Sequence, residues 1–353
     1  MSRLLDQPEG GLTYAEVGVS IEAGDDFVQR IKDVVASTAR PEVLGGIGGF
    51  GGLFHLNSGR YHDPVIVSSA DGVGTKLEIA RHLGRYGTVG IDLVAMLVDD
   101  LVCSGAEPLF MLDYVAVGQI NLERLVDLVA GIAEGCRQCG TALLGGETAE
   151  HAGVMRPDDL DVAGFAVGVV ERGDELGAHR LKKGDALIGF GSPGLRSNGY
   201  SLARRVLVTT DDDLHAPAFE GAERSLGEEL LLPSVIYAPA VMAIATLIGH
   251  GLHAAAHITG GGIVGNVVRV LPPSLDAVIH MDSFETPEIF YEIQRRGLVS
   301  AYEMVRVFNC GLGMVVCVDA DDVDDAINAA RSAGVVASVV GHARPGSGQV
   351  VLT

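Results

Sequence analysis

The placement of glycine constrains this chain more than any other feature. Of 353 residues, 48 are glycine, nearly twice the typical share of about 7%. Many fall in four clusters: Gly45-Gly-Ile-Gly-Gly-Phe-Gly-Gly52, Asp71-Gly-Val-Gly-Thr-Lys76, Gly145-Gly-Glu-Thr-Ala-Glu150 and His257-Ile-Thr-Gly-Gly-Gly262. Glycine permits positive φ and lets backbone approach a partner closely. One such cluster is a tight turn and nothing more. Four, of which three carry Asp, Glu, Lys or His, predict backbone amides that converge on phosphate oxygens.

The common phosphate-loop pattern GxxxxGK[ST] does not occur. GxGxxG occurs at 46–51, 189–194 and 260–265, but the first lacks a preceding strand and Pro193 removes an amide donor from the second. None is followed by a clear ribose-binding acid, so dinucleotide binding is disfavoured.

Charge narrows the partners. The chain carries 25 Lys and Arg against 46 Asp and Glu, a net −21. It lacks the basic footprint that nucleic acid requires, and an anionic membrane surface would repel it. An acidic protein can still hold a polyphosphate when its carboxylates first capture Mg²⁺. Five cysteines in a chain this long form no disulfide framework, and their odd number suits a reducing compartment. No apolar segment of signal-peptide length stands near Met1, and the charge-free stretch 230–268 is broken by Pro233, Pro239 and Gly260–Gly262. A soluble, cytoplasmic protein without a membrane span is expected.

Periodicity predicts alternating strands and helices. Strands are expected over 64–69, 109–117, 141–144, 162–170, 186–190, 313–318, 335–341 and 349–352. Helices are expected over 77–83, 91–101, 122–139 (ended by Gly140), 199–208, 263–271 and 321–333. The polar segment 171–184 reads as a linker. The expected class is therefore α/β or α+β with two domains, 1–171 and 172–353.

The acids refine the chemistry. Asp71 ends a strand, Asp99 and Asp100 interrupt an apolar helix, and Glu147 follows two glycines. Apolar residues flank Asp99 and Asp100 on several sides, so at least one carboxylate must be half-buried. That is costly unless it is paired or binds a metal, and both readings stand. Cys136 and Cys139 lie at a helix C-terminus, where the dipole opposes thiolate formation, so they read as structural. His253 and His257 have helical ligand spacing but sit in a strand. There, four residues span about 13 Å, and only His257, beside the glycine turn, is a candidate ligand donor.

Taken in order, these segments resemble the phosphoribosylformylglycinamidine cyclo-ligases, also called AIR synthetases, nearly end to end. The resemblance rests on Tyr14–Gly24, Arg40–Gly51, Asp71–Lys76, Gly105–Phe110, Gly145–Glu150, Ser197–Leu202, His257–Gly262 and Phe308–Gly311. It implies ATP-dependent ring closure of formylglycinamidine ribonucleotide to 5-aminoimidazole ribonucleotide through an iminophosphate. ATP and Mg²⁺ are implied as cofactors. It also implies a homodimer whose N-terminal domains jointly form an eight-stranded barrel, each subunit adding a three-layer C-terminal α/β domain.

Carried over by motif, Asp71, Asp100 and Glu147 are implied to hold metal and nucleotide phosphates. Lys76 is implied to neutralise phosphate, with Lys76, Asp100 and His257 as the catalytic set. Lys32, Gly48, Gly49, Phe50, Gly51, Gly72, Gly74 and Thr75 are implied around ATP. Ser197, Asn198, His257, Thr259, Gly260, Gly261 and Gly262 are implied around the ribonucleotide. Asp99 stands where Asn is usual, adding charge that could strengthen metal binding, and Arg196 stands where many relatives have His, favouring an anion-binding role. Two other readings remain: a small-molecule kinase of the same superfamily, and a nucleotide-binding regulator without activity.

Overall fold

A computed structural model describes residues 18–49, 51–57 and 59–353. Chain entry is fixed by Ser20, whose hydroxyl accepts from the Ala23 N–H at 3.1 Å and caps α1 (Ile21–Ala36). Two short antiparallel strands, β1 (Val43–Leu44) and β2 (Leu53–Phe54), close the base of the glycine-rich segment between them. The first sheet and its helices follow as β3 (Pro64–Gly72), α2 (Lys76–Leu83), α3 (Gly87–Cys103), β4 (Glu107–Val117), α4 (Leu122–Cys139), β5 (Ala142–Glu150) and β6 (Leu160–Glu171). Helix α4 has the bounds its sequence predicts. The Asn121 side chain accepts from the Arg124 N–H at its start, and Gly140 at φ 64° ends it. Gly131 explains its own presence inside that helix: a Cβ there would lie 1.8 Å from the Gly87 carbonyl oxygen. The α3 and α4 backbones therefore cross almost in contact.

The four strands run in the order β3-β6-β4-β5, antiparallel except for the β4–β5 pair. Side chains alternate across this sheet. Met111, Val115, Val162 and Ala166 face the core beneath α3 and α4. Ile66, Leu112, Tyr114 and Phe165 point the other way and remain exposed. Among the described residues, one face of the sheet is thus apolar and uncovered within a single chain.

The second sheet begins with β7 (Ala186–Gly191), followed by α5 (Tyr200–Leu207), α6 (Leu226–Leu230), α7 (Ala238–Ile248), β8 (Leu252–His257) and α8 (Gly262–Val267). Next come β9 (Leu275–Ile279), α9 (Glu288–Gly297), α10 (Ala301–Val307), β10 (Leu312–Val318), α11 (Val323–Ser332), β11 (Ala337–Pro345) and β12 (Val350–Leu352). The strand order is β12-β9-β11-β7-β10-β8, with only β12 and β9 parallel. Strand β10 is buried along its whole length. Its Met314 and Val316 join the core that includes Val241 and Ile244 of α7, while Val315 and Cys317 join the core of Ile263 and Val267 from α8. Both faces are covered, giving the expected three layers.

Several expectations need correction. The cluster 145–150 is no turn but the second half of β5. Strand β8 lies where His253 and His257 are read as strand residues, whereas β9 and helices α1, α7, α9 and α10 fall where periodicity predicts no element; β9 is buried along its whole length and shows no alternation. The charge-free stretch 230–268 forms α7, β8 and α8 inside the second unit. Among the described residues no helix is long and apolar enough to cross a membrane.

Candidate functional site in the cleft between the two sheets

Helix α3 packs on its own sheet and also on α7 and β8, so its C-terminal end lies in the cleft between the units. There it delivers two adjacent carboxylates in different directions. Asp99 is fully buried, and its Oδ1 accepts from the Tyr237 and Ala238 N–H groups at 2.8 and 2.9 Å. Its Oδ2 accepts from Arg196 Nη2 at 2.7 Å. Burial opposes ionisation of Asp99, and the guanidinium with the two backbone donors offsets that penalty. Arg196 itself is buried at φ 63°. Its Nη1 donates to the Val235 carbonyl at 2.6 Å, and the guanidinium lies 4.5 Å over the Tyr237 ring.

Arg196 also orients a histidine. Its Nη2 reaches His257 Nε2 at 3.0 Å. A guanidinium only donates, so Nε2 must accept and the ring proton sits on Nδ1. That Nδ1–H donates to Asp100 Oδ1 at 2.9 Å. Asp100 keeps 45% of its side-chain exposure, against 0% for Asp99. The chain of contacts Asp99–Arg196–His257–Asp100 therefore fixes one cleft-facing carboxylate from behind.

Asp71, at the end of β3, completes a pair with Asp100. Burial pushes its carboxyl above the usual range, and Asp100 adds to the shift. The Gly72 N–H and His257 act against it. Two neighbouring carboxylates that remain open to solvent suit a hard divalent cation such as Mg²⁺. Around them stand Thr75, whose Oγ1 lies 3.2 Å from Ser201 Oγ, and buried polar atoms without a partner among the described residues: Ser197 Oγ, Asn198 Oδ1 and Arg196 Nε. Buried groups of this kind are uncommon and mark places where something else binds. The Thr259–Gly262 turn closes the cleft and is held by Asn266 Nδ2, which donates to the Thr259, Gly260 and Gly262 carbonyls at 3.2, 3.3 and 2.8 Å. Gly261 and Gly262 have φ of 99° and 64°.

The structure corrects four sequence expectations. Lys76 is fully buried; its Nζ lies 2.6 Å from Asp92 Oδ2 and donates to the Leu232 and Arg196 carbonyls at 2.7 and 3.1 Å. Its three donors are spent, so it braces the two units and has none left for phosphate. His257 has both ring nitrogens engaged and 2% side-chain exposure, so it positions Asp100 instead of touching a reactant. Asp99 and Arg196 are consumed by each other and add neither metal charge nor an exposed anion site. Glu147 pairs with Tyr114, which pairs with Ala163, which pairs with Gly72. Three strand spacings put it roughly 14 Å from Asp71, too far to share one ion within a chain.

Glu147 instead lines a second cavity of about 630 Å³ between α1, residues 46–49 and 51–52, β4 and β5, together with Phe27, Ile31, Gly48, Gly49, Gly51 and Gly146. Lys32 borders a smaller adjoining cavity of about 130 Å³ under Gly45 and Gly46. Phe50 lies outside the described residues. Gly72 ends β3 beside Asp71, and Gly74, at φ 62°, lies on the turn between β3 and α2. The floor of the large cavity holds Asp113, which the sequence reading missed. Alternation within β4 was the available signal, since Met111 and Val115 both face inward.

The cysteines read as expected. All five are unpaired, and burial pushes Cys139 up to about 11 and Cys136 well above the ordinary range. His253 joins Asp185 and Asp319 in a cluster tight enough for a metal. However, Lys182 Nζ reaches His253 Nε2 at 3.2 Å and Asp319 Oδ1 at 3.5 Å, supplying the positive charge itself.

Two family models match this architecture. Residues 58–170 match the one described as AIR synthase related protein, N-terminal domain, and residues 182–352 the corresponding C-terminal domain. These matches define the class, the two-domain AIR synthase related proteins. A curated relative from Trichlorobacter lovleyi, named phosphoribosylformylglycinamidine cyclo-ligase, is 49% identical over 332 residues, covering 94% of this chain and 95% of its own length. The chain belongs to the phosphoribosylformylglycinamidine cyclo-ligase family. The fold is shared more widely. Thiamine-monophosphate kinase from Stenotrophomonas maltophilia superposes with a TM-score of 0.68 at 19% identity, covering 92% of this chain and 95% of that one. The E. coli hydrogenase maturation protein HypE gives 0.63 at 16%, covering 93% and 94%.

Proposed function

We propose that this chain closes the imidazole ring of 5-aminoimidazole ribonucleotide. ATP transfers its γ-phosphoryl group to the formyl oxygen of formylglycinamidine ribonucleotide, releasing ADP. The amidine nitrogen then attacks the activated carbon, the C–O bond to phosphate breaks, and a proton leaves the nitrogen as the ring closes. The observation that carries this reading is the 49% identity, over nearly the whole chain, to a relative of that name. The cleft supports it. Phosphoryl transfer asks chiefly for positioning and charge neutralisation, and Asp71 and Asp100 are oxygen donors suited to Mg²⁺. When bound, Mg²⁺ would offset the triphosphate charge. Asp71 and Asp100 would hold it, His257 and Arg196 would keep Asp100 in place, and Ser197, Asn198, Thr259 and Gly260–Gly262 would hold the ribonucleotide. The glycine segment 45–52, Lys32 and Glu147 would border the nucleotide.

Within this proposal residues 1–171 bind nucleotide and residues 172–353 the ribonucleotide. The uncovered apolar face bearing Ile66, Leu112, Tyr114 and Phe165 supports a homodimer in which two such sheets close into an eight-stranded barrel. Unpaired cysteines suit the cytoplasm. The reading is tested by ADP and phosphate release from the purified chain. Release must require formylglycinamidine ribonucleotide and Mg²⁺ together. A surviving phosphorylated product would indicate a kinase instead, and ATP binding without turnover of any candidate a regulator.

A further inference from the structure

Strands β1 and β2 pair into a short stem beneath the glycine-rich tip, and one acid at the start of β4 gathers the chain on both sides of that stem. Glu107 Oε1 accepts from Arg40 Nη2 at 3.0 Å, ahead of the stem. Its Oε2 accepts from Arg60 Nη2 at 2.7 Å and from the Tyr61 hydroxyl at 3.0 Å, both beyond the stem. Burial pushes that hydroxyl up to about 12 and keeps it a donor. Arg40 Nη1 also donates to the Pro108 and Gly140 carbonyls at 2.9 and 3.1 Å, and Glu42 faces both guanidiniums at 3.4 and 3.8 Å. Two carboxylates thus balance two guanidiniums, and the Arg40, Glu42 and Glu107 side chains are only 15%, 20% and 22% exposed. An isolated surface pair contributes little, but a shielded network with fixed geometry holds its members in place.

The tip is held differently. Ile47 packs against the core, and Gly52 presses on β5, where a Cβ would lie 2.4 Å from Leu144 Cγ. A Cβ at Gly46 or Gly51, however, would meet nothing within 4 Å, and neither residue has a positive φ. In this position of the tip, neither space nor backbone conformation requires glycine at 46 or 51. What glycine adds there is freedom to adopt another conformation.

Resting on the ATP-dependent reading above, we infer that Glu107 is a positioning residue for the use of ATP: by tying Arg40, Arg60 and Tyr61 together it fixes the stem, so that movement over the large cavity is confined to the tip. Glu107 does not line that cavity; Leu112, the first residue of β4 that does, lies five positions along the strand, about 16 Å away. Its influence therefore reaches nucleotide through the segment and not by contact. Nucleotide that meets a fixed stem has only the tip to order. With a loose stem the competent arrangement exists for a fraction of the time, and apparent Kd rises by the reciprocal of that fraction.

The test is hydrogen exchange read by mass spectrometry on the full chain, with and without saturating Mg²⁺-ATP, alongside steady-state kinetics, for the wild type, Glu107→Gln and the milder Arg60→Met. In the wild type, Mg²⁺-ATP slows exchange in the tip by about tenfold or more and in the stem by less than about twofold. In Glu107→Gln the stem exchanges about tenfold faster without nucleotide and KM for ATP rises about tenfold, while kcat and KM for formylglycinamidine ribonucleotide stay within about threefold. Arg60→Met leaves Arg40 and Tyr61 on Glu107 and raises KM for ATP about threefold; should Glu107→Gln fail to fold, an unchanged KM for ATP in Arg60→Met overturns the inference. A merely structural role gives a different split, with faster exchange across β3–β6 and a smaller active fraction but an unchanged KM for ATP. That pattern, an unchanged KM for ATP in Glu107→Gln, or protection by Mg²⁺-ATP as strong in the stem as in the tip overturns the inference. If the wild type binds Mg²⁺-ATP but turns over no formylglycinamidine ribonucleotide, the proposed reaction fails, and Kd for Mg²⁺-ATP in place of KM still decides the role of Glu107.

Discussion

Removing Arg196 probes the contact that ties the two units together. In Arg196→Met the flexible apolar chain fills much of the same space, but Asp99 loses its guanidinium partner and stays buried. Two backbone donors, from Tyr237 and Ala238, still reach its Oδ1, whereas Oδ2 is left bare. Breaking one side of a buried pair costs about 3–5 kcal/mol, and Asp99→Asn, which strands the guanidinium, belongs in the same range. The double variant strands neither charge. Its loss should therefore fall short of the sum of the singles by at least about 2 kcal/mol. The assay is urea unfolding followed by two probes whose transitions must coincide, because a chain with two sheets need not unfold in one step. With a slope of about 3 kcal/mol/M, each single variant shifts the midpoint by roughly 1–1.7 M. The ¹⁵N spectrum of His257 adds a local readout: loss of Arg196 frees Nε2, and the Nδ1–H tautomer is no longer enforced. Single variants that each cost less than about 1 kcal/mol, or that add without coupling, would refute the reasoning.

Three other outcomes follow from the same geometry. Asp100→Asn should lower kcat by at least about a hundredfold while leaving the unfolding midpoint nearly unchanged, since Asp100 is half-exposed and Asp99 is not; near-normal turnover would make Asp100 merely structural. The Asp71 carboxyl, held above the usual range by burial and by Asp100, keeps its proton to higher pH than a free aspartate. Apparent Mg²⁺ affinity should accordingly rise with pH through that raised value, and Asp71→Asn should flatten the dependence in a metal titration. Lys76→Met should destabilise the fold by about 3–5 kcal/mol by leaving Asp92 buried and unpaired. KM for ATP measured on the folded fraction should change little, and a large rise would return Lys76 to the phosphate site.

What the sequence disclosed and what it withheld divide along a physical line. Local signals were legible: Asn121 and Gly140 bound α4 because capping depends on neighbouring residues alone. The apolar flanks in α3 call for a buried acid, and Asp99 is fully buried, but its partner could not be read, since Arg196 lies 97 positions away. Asp99 and Arg196, two of the positions that the resemblance marks as departures, are each other's partners. Lys76 was misassigned for the same reason, because a lysine after a glycine turn suggests phosphate until Asp92 and the Leu232 carbonyl are seen around it. Gly145 and Gly146 read as a turn because glycine signals loops. Their place in β5 rests on pairing with the distant strand β4, where Asp113 leaves no room for a Cβ at position 146. Asp71 lies close enough to Asp100 to feel its charge, whereas Glu147 stands three strand spacings from Asp71.

One measurement bears most directly on the whole account: phosphate release by the purified wild-type chain, with formylglycinamidine ribonucleotide, ATP and Mg²⁺ each omitted in turn and the product followed by mass. The account predicts stoichiometric ADP, free phosphate and the cyclised ribonucleotide, with no turnover when any of the three is missing. Phosphate release that proceeds equally fast without formylglycinamidine ribonucleotide, or a stable phosphorylated product in place of the ring, would contradict it.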